Sequence, residues 1–383
     1  MRVEHIVRQF SPSVGGLEDA VLSIARVQRD ELGIDARVIT LNRVFGDAER
    51  LPATGSVDGV PVRRLPWRGS SRYPLAPSVL AHLRSADLLH VHAIDFFFDY
   101  LALTRPLHGR PMIASTHGGF FHSSALALAK RVWFDTVTRA SILGYRRIVA
   151  CSHSDADMFR DRAGRRLTVI ENGINQSKFR DASSRRPTRT ILSFGRFARH
   201  KRLDTLFPLL ASLRTKDPGW RLVVAGRDAD QTEEELRAAA SAAGVAEAVR
   251  FVINPTDAEL RLAIGEASYF ASLSAHEGFG IAAVEALSAG LLPILSGITP
   301  FRRLVSETGI GLIVNPDNAE LAAASVLSTH SDDPARYAER RAAAIRAVQR
   351  YDWKTVAALY ADVYREVLNV RAPVDIITAR AAE

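Results

Sequence analysis

Cysteine is almost missing from this chain of 383 residues, where Cys151 stands alone. A single thiol excludes an internal disulfide and any cysteine-rich metal site, and such scarcity fits a reducing compartment. Long apolar runs are missing as well. No window reaches the ~18 uninterrupted apolar residues of a membrane-spanning helix, and the opening residues, MRVEHIVRQF, carry charges throughout, unlike a secretory leader. A cytoplasmic protein is expected. H-E-x-x-H, a P-loop, G-x-S-x-G and C-x-x-C are also absent, which disfavours metalloprotease, NTPase, hydrolase-elbow and redox chemistry. Internal repeats and low-complexity tracts do not occur.

What the chain does have is apolar content, 47%, and positive charge, a net +8. Its length exceeds one ordinary core, so two domains of about 180 residues each are expected. The arginine pairs Arg63/Arg64, Arg146/Arg147, Arg165/Arg166, Arg185/Arg186 and Arg302/Arg303 are scattered, and no nucleic-acid motif accompanies them. A diphosphate ligand or an anionic membrane surface therefore ranks above nucleic acid as the polyanionic partner.

Strand-like runs at 36–41, 60–65, 87–92, 111–115, 147–151, 190–194, 221–225, 249–253 and 291–296 alternate with helical or loop stretches. That order predicts α/β, doubly wound parallel sheets, with ligands beyond the carboxyl ends of the strands. The polar, arginine-rich run SKFRDASSRRPTR, 177–189, reads as a linker between a domain over 1–183 and another over 188–350.

Residues 276–290, HEGFGIAAVEALSAG, lie between two apolar runs and read as loop plus helix, with the helix starting near Gly280. Glu277 then precedes the first turn and Glu285 lies more than a turn inside, a spacing that lets two carboxylates hold two parts of an elongated ligand. Gly278 and Gly280 allow close backbone approach, and free N–H groups at a helix start attract anions. The same spacing equally suits a dipole-complementing charge at Glu277 and a solvated Glu285. Gly15 and Gly16, at a strand-to-helix turn, form a second anion-type loop; without further context they are only a turn.

The stretch EGFGIAAVEALSAG, with glutamates eight residues apart, resembles the E-x7-E signature of the retaining nucleotide-sugar glycosyltransferases of family 4. Other similar segments run from residue 2 to about residue 365. The resemblance implies the GT-B fold, two Rossmann-like domains facing a cleft, with a final helix over about 353–370 crossing back onto the first domain. It implies that Gly15 and Gly16 face the donor diphosphate and the acceptor, and that His117, at the end of the strand PMIAS, lies near the sugar's anomeric centre. His122, His90 and His92 have weaker claims. In GRFARHK, Arg196 and Lys201 match the cations that clamp the diphosphate, and positive charge is what a metal-free departure of that group needs. Glu277 would hold sugar hydroxyls and Glu285 the ribose, with Phe279 in the same loop; Arg227 and Ile253 are candidates for contacts to the base. ENGI, 171–174, resembles the turn that ends the first domain. One departure stands out: GITPFR, 297–302, lacks the glycine pair and acidic residue common there.

The two D-x-D triplets, Asp155–Asp157 and Asp228–Asp230, are expected to be structural, so no metal or other cofactor is expected. THGGFFHS, GRFARHKR and PFRRL are similar to segments of bacterial exopolysaccharide mannosyltransferases that use GDP-mannose and a polyprenyl-diphosphate-linked acceptor. That similarity implies mannosyl transfer at the cytoplasmic face of the inner membrane. The basic and aromatic run 125–147 suits either an interfacial helix or an ordinary one with its aromatics in the core. Two rivals remain: a nucleotide-sugar epimerase, for which no acid/base set is evident, and a non-catalytic binder of anionic surfaces.

Overall fold

The computed structural model describes residues 1–71, 73–118 and 132–369. The chain forms two compact units, Met1–Gly173 with Trp353–Glu383, and Ile174–Asp352. The expected linker is instead integral to the second unit. The Asp181 and Ser183 amides donate to the Ser288 and Ala289 carbonyls (3.0 and 2.9 Å), and buried Arg341 bonds the Ser183 hydroxyl at 2.8 Å and pairs with Asp181 at 2.5 Å. Polar composition misled because its backbone groups cap the end of the helix Ile281–Ala289.

The first unit carries an eight-stranded sheet, with a short hairpin, β5 (Arg68–Ser70) and β6 (Tyr73–Leu75), beside it. Its strands are β1 (Arg2–Ile6), β2 (Asp35–Leu41), β3 (Thr54–Val57), β4 (Val60–Leu65), β7 (Leu88–His92), β8 (Met112–Ser115), β9 (Arg147–Ala150) and β10 (Leu167–Val169). The order is β10-β9-β8-β7-β1-β2-β4-β3, parallel except for β3 on β4. β3 is an exposed edge strand reached through an Asp58-Gly59 turn with φ of 47° and 79°, the left-handed pair that a tight hairpin uses.

The second unit orders β11 (Thr190–Phe197), β12 (Arg221–Asp228), β13 (Val249–Ile253), β14 (Tyr269–Ser272), β15 (Leu292–Ser296) and β16 (Leu312–Val314) as β13-β12-β11-β14-β15-β16, all parallel. Two of its helices start with capping boxes, Thr232 with Glu235 and Thr256 with Glu259. The helix Ile281–Ala289 is so rich in alanine that it sinks into the core, burying Ala283, Val284, Ala286, Leu287 and Ala289.

In each sheet the chain reverses its winding at one place, between β1 and β7 in the first and between β11 and β14 in the second. In open α/β sheets the crevice beyond the carboxyl ends of such strands is where ligands sit. The helix Trp353–Leu368 belongs to the first unit, where Gly173 admits its leading indole: a Cβ at Gly173 would lie 2.5 Å from Trp353 Cδ2. Among the described residues no helix is long and apolar enough to cross a membrane.

Of the run 125–147, residues 125–131 lie outside the described residues, as does His122. The remainder winds as a π-helical turn, Phe134–Thr138, then an α-helix that ends at Ile142. Phe134 and Tyr145 are fully buried, the ordinary core alternative, whereas Val132 and Trp133 stay exposed.

Candidate active site

At the switch point of the second sheet two loops, far apart in sequence, are fastened together. β11 runs on into the turn Arg199–Lys201, and β14 into the loop 273–280. The Ala275 amide donates to the His200 carbonyl at 2.8 Å, and Lys201 Nζ donates to Glu277 Oε1 at 2.5 Å. Ser274 Oγ donates to the same Oε1 at 2.8 Å, and Ser296 at the end of β15 holds the Ser274 carbonyl at 2.6 Å. Among the described residues both hydrogen bonds to the carboxylate converge on one oxygen, which leaves Oε2 to accept from a ligand hydroxyl. Arg196 and Lys201 line one crevice with Ser193 and Ser272, and Arg196 is exposed.

The glycines here have separate reasons. Gly195 has φ +141°, and it pairs in register with Gly226, where a Cβ would lie 1.9 Å from the Gly195 carbonyl oxygen. Gly280 caps the helix at φ +88°, and a Cβ there would strike Phe301 at 2.7 Å. The expected role for Gly280, room for a ligand, is thus corrected: the room is taken by Phe301. Phe279 is half-buried, its ring packing edge-on against Tyr351 at 5.5 Å. Gly278 does face open space. Glu285 lies half-buried on the second turn of the helix. Near the carboxyl ends of the strands Arg227 of β12 pairs with Arg196, and Ile253, the last residue of β13, pairs with Gly226, one strand further from Arg196. In the departing segment Arg302, in the first turn of the helix Thr299–Thr308, folds back on the Gly297 carbonyl at 2.7 Å.

At the edge of the first sheet, Gly15 precedes the helix Gly16–Asp30 in extended conformation. A Cβ at Gly15 would meet Glu18 Oε2 at 2.6 Å, and Ser13 Oγ holds Glu18 Oε1 at 2.9 Å, so a carboxylate already lies over this helix start; Gly16 is open. His117 follows β8 with φ +51°, a conformation unusual for a residue with a side chain. Asp155 clasps its loop, accepting from Thr116 Oγ1 (2.5 Å) and the Gly118 amide (3.0 Å). Asp228 and Asp230 likewise accept from the Glu233 and Arg199 amides, and Asp157 pairs with Arg160 at 2.7 Å. Both ring nitrogens of His117 point inward, Nε2 to His92 at 2.8 Å and Nδ1 to Cys151 Sγ at 3.6 Å, and burial pushes its pKa down to about 4.

Sequence reasoning missed Asp95, at the switch point of the first sheet. It caps the helix Phe96–Leu103 through Oδ1 and the Phe97 amide (3.0 Å), while buried Oδ2 lacks a hydrogen bond and lies 4.0 Å from Arg8 Nε. Burial raises its pKa to about 7. An aspartate just before the apolar run FFFDYLAL was the available signal.

Solved structures with this fold include a sucrose-phosphate synthase from Thermosynechococcus elongatus (TM-score 0.71, 18% identity, 97% of this chain and 100% of that one) and a glycosyltransferase from Rickettsia africae (TM-score 0.73, 16% identity, 97% and 99%). Two parallel sheets of this kind are shared with those structures and make the GT-B fold. Residues 14–178 match the model of Glycosyltransferase Family 4 and residues 175–349 that of Glycosyl transferases group 1. The chain is 56% identical over its whole length, and 98% of the relative's, to a GDP-mannose:cellobiosyl-diphosphopolyprenol alpha-mannosyltransferase of Komagataeibacter xylinus. It is 47% identical to the enzyme of that name from Xanthomonas campestris, over 96% of this chain and 98% of that one. A phosphatidyl-myo-inositol mannosyltransferase of Mycolicibacterium smegmatis is 28% identical, over 94% and 93%. The chain belongs to glycosyltransferase family 4.

Proposed function

We propose that this enzyme transfers an α-mannosyl group, with retention, from GDP-mannose to a saccharide carried on a polyprenyl diphosphate. The observation that carries the reading is the Lys201–Glu277 pair at the switch point, in a chain 56% identical throughout to a relative whose name states that reaction. Arg196 and Lys201 receive the diphosphate as it gains charge, and Glu277 Oε2 accepts from a sugar hydroxyl. Glu285 takes the ribose, Arg227 and Ile253 border the base, and the backbone at Gly278 and the loop of Gly15 and Gly16 approach the phosphates. His117 is the first unit's contribution beside the sugar, held neutral by its burial. The acceptor's proton passes to the departing phosphate oxygen on the same face, so no protein base and no metal takes part.

Contact with an anionic membrane fits a patch on the first unit. Leu103, Leu107 and Leu143 are 79, 78 and 62% exposed. Arg105, Arg146, Arg147 and Arg166 line a basin with Leu143, and Gly144 packs against Ala102, which brings the leucines of the two segments together. Exposed leucines among arginines suit the cytoplasmic face of an anionic bilayer.

The test is to incubate the purified protein with a panel of nucleotide sugars and a cellobiosyl-diphosphopolyprenol, with and without EDTA, and to identify the nucleotide released. GDP from GDP-mannose, insensitive to EDTA, is expected. Preference for a UDP- or ADP-sugar, release without an acceptor product, or loss of turnover in EDTA would each refute the corresponding part.

A further inference from the structure

The first unit gathers four imidazoles, three of them fully buried and His117 partly so, far more than one sugar contact requires. His5, His90 and His92 are fully buried, and their ring nitrogens lie within 4.8 Å of one another, which invites a metal reading. The hydrogen bonds argue otherwise. His5 Nε2 meets Gln28 Oε1 at 2.9 Å, His5 Nδ1 meets His92 Nε2 at 2.9 Å, and His92 Nδ1 meets His117 Nε2 at 2.8 Å. His117 Nδ1 meets Cys151 Sγ at 3.6 Å, and that sulfur lies 3.8 Å from the Tyr360 hydroxyl. From there Tyr360 meets Ser115 Oγ at 3.0 Å, Ser115 meets His90 Nε2 at 2.7 Å, His90 Nδ1 meets the Tyr364 hydroxyl at 2.7 Å, and Gln28 Nε2 donates to that hydroxyl at 3.0 Å. The circuit closes on Gln28. Every imidazole nitrogen in it has a partner, and none is left for a metal ion.

A closed ring of single bonds carries a direction. A neutral imidazole has one N–H and one lone-pair nitrogen, and burial keeps all four neutral by lowering their pKa. Gln28 Oε1 can only accept, so His5 must carry its proton on Nε2 and accept at Nδ1. His92 then donates from Nε2, and so does His117, whose Nδ1 accepts from the Cys151 thiol. From the other side the Gln28 amide nitrogen can only donate. Tyr364 must therefore donate to His90, His90 to Ser115, Ser115 to Tyr360 and Tyr360 to the sulfur. Both arms agree, and one carboxamide sets the sense of the whole ring.

We propose that Gln28 is a positioning residue of the transferase: through His5 and His92 it fixes His117 as the Nε2–H tautomer and locks its ring. Moving the His117 proton to Nδ1 would require every bond in the circuit to reverse, and turning the ring over would put carbon atoms where Nδ1 and Nε2 now bond, so the network holds a residue whose backbone, at φ +51°, is otherwise disfavoured. The catalytic consequence rests on the placing of His117 beside the donor sugar; the tautomer does not.

The test uses the full-length protein with 15N-labelled histidine, read by long-range proton–nitrogen correlation, beside steady-state transfer. In the wild type, His5, His90, His92 and His117 should all be Nε2–H at pH 7. Gln28→Met, which keeps the length but removes donor and acceptor, should give His117 a mixture of tautomers and lower kcat about tenfold, since small misplacements near the reacting centre act on rate. KM for the donor should change less than about twofold, and unfolding should stay cooperative. Cys151→Ala opens the ring on the opposite side of His117 and should leave the Nε2–H form in place, because the arm from Gln28 still dictates it. A wild-type His117 in the Nδ1–H form, an unchanged tautomer in Gln28→Met, or one equivalent of zinc held by the purified protein would overturn the ring. A shifted tautomer with unchanged kcat would overturn the positioning role. Failure of the donor assignment shows separately, as a wild type that does not turn over GDP-mannose while its tautomers read as expected.

Discussion

The buried ring makes the first unit sensitive to acid, and replacing His5 by Gln should halve that sensitivity. Burial holds His5 and His117 at about 4 and His90 and His92 well below their ordinary value. Unfolded, each titrates near 6.5. A folded pKa below the unfolded one means that the unfolded chain binds more protons, so this stability is present above pH 6.5 and is lost as pH falls. Carboxyls work in the opposite sense, and the smaller shifts at Asp99 (raised) and His82 (lowered) offset one another. Burial raises Glu4 and Asp95 to about 7, so between pH 6 and 5 they are protonated when folded and ionised when unfolded. Four protons taken up on unfolding less two released leaves two, a slope of about 3 kcal/mol of stability per pH unit. His5→Gln, which can still bridge Gln28 and His92, removes one of the four and should leave about 1.4 kcal/mol per pH unit. The assay is urea unfolding at pH 5, 5.5 and 6, followed by fluorescence in a Trp220→Phe background. The remaining tryptophans, Trp67, Trp133 and Trp353, all belong to the first unit, which sidesteps the two-unit transition. Equal slopes in the variant and its parent, or a parent whose stability is flat across this range, would refute the reasoning.

Lys201→Met should lower mannosyl transfer by about 10²–10³-fold with circular dichroism unchanged, because it removes a cation from the developing diphosphate charge; measured GDP release within tenfold of wild type would count against the assignment. Gly226→Ala should cost more than about 4 kcal/mol or prevent folding, since its Cβ falls 1.9 Å from the Gly195 oxygen of the neighbouring strand; thermal unfolding reads this directly. Asp95→Asn keeps a helix-capping side chain and removes a carboxylate whose ionisation burial opposes, so it should stabilise the protein, and more at pH 8 than at pH 5.5. The double variant Leu103→Glu, Leu107→Glu should abolish sedimentation with phosphatidylglycerol vesicles while leaving the melting temperature within a few degrees, because both side chains are mostly in water.

How much of this was legible in the sequence depended on how local each cause is. The alternation of strands and helices follows from runs such as RLVVA and RIVA, which bury on both faces of a parallel sheet, and it placed the β11 and β14 loops on one edge. T-x-x-E at Thr232 and Thr256 announces a helix start because the cap bonds residues three apart. β3 escaped attention because TGSV is an exposed edge without alternation, although the Asp58-Gly59 turn beside it was a readable sign. The domain boundary was misplaced because arginine-rich polarity in 177–189 looks like a solvated linker until Arg341 and the end of a distant helix supply its partners.

The site divides along the same line. Lys201 and Glu277 were legible because each lies in a motif whose residue types declare a charge chemistry, and the fold needed only to bring the two loops together. The ring around His117 was not: His90 and His92 had only weaker claims to the site and His5 had none, and nothing in HVH or VEH states that their nitrogens will meet. Their conjunction follows from strand order alone. β1 lies beside β7 and β7 beside β8, with His5 paired to His90 and His92 to Ser115 in register. The helix Trp353–Leu368 then adds Tyr360 and Tyr364 from the far end of the chain. A network of this kind has no sequence signature because its length scale is the sheet, and its direction is decided by one carboxamide on another helix. For the same reason a test confined to His117 would miss it, whereas a change at Gln28, whose amide bonds only His5 and Tyr364 among the described residues, reads the circuit as a whole.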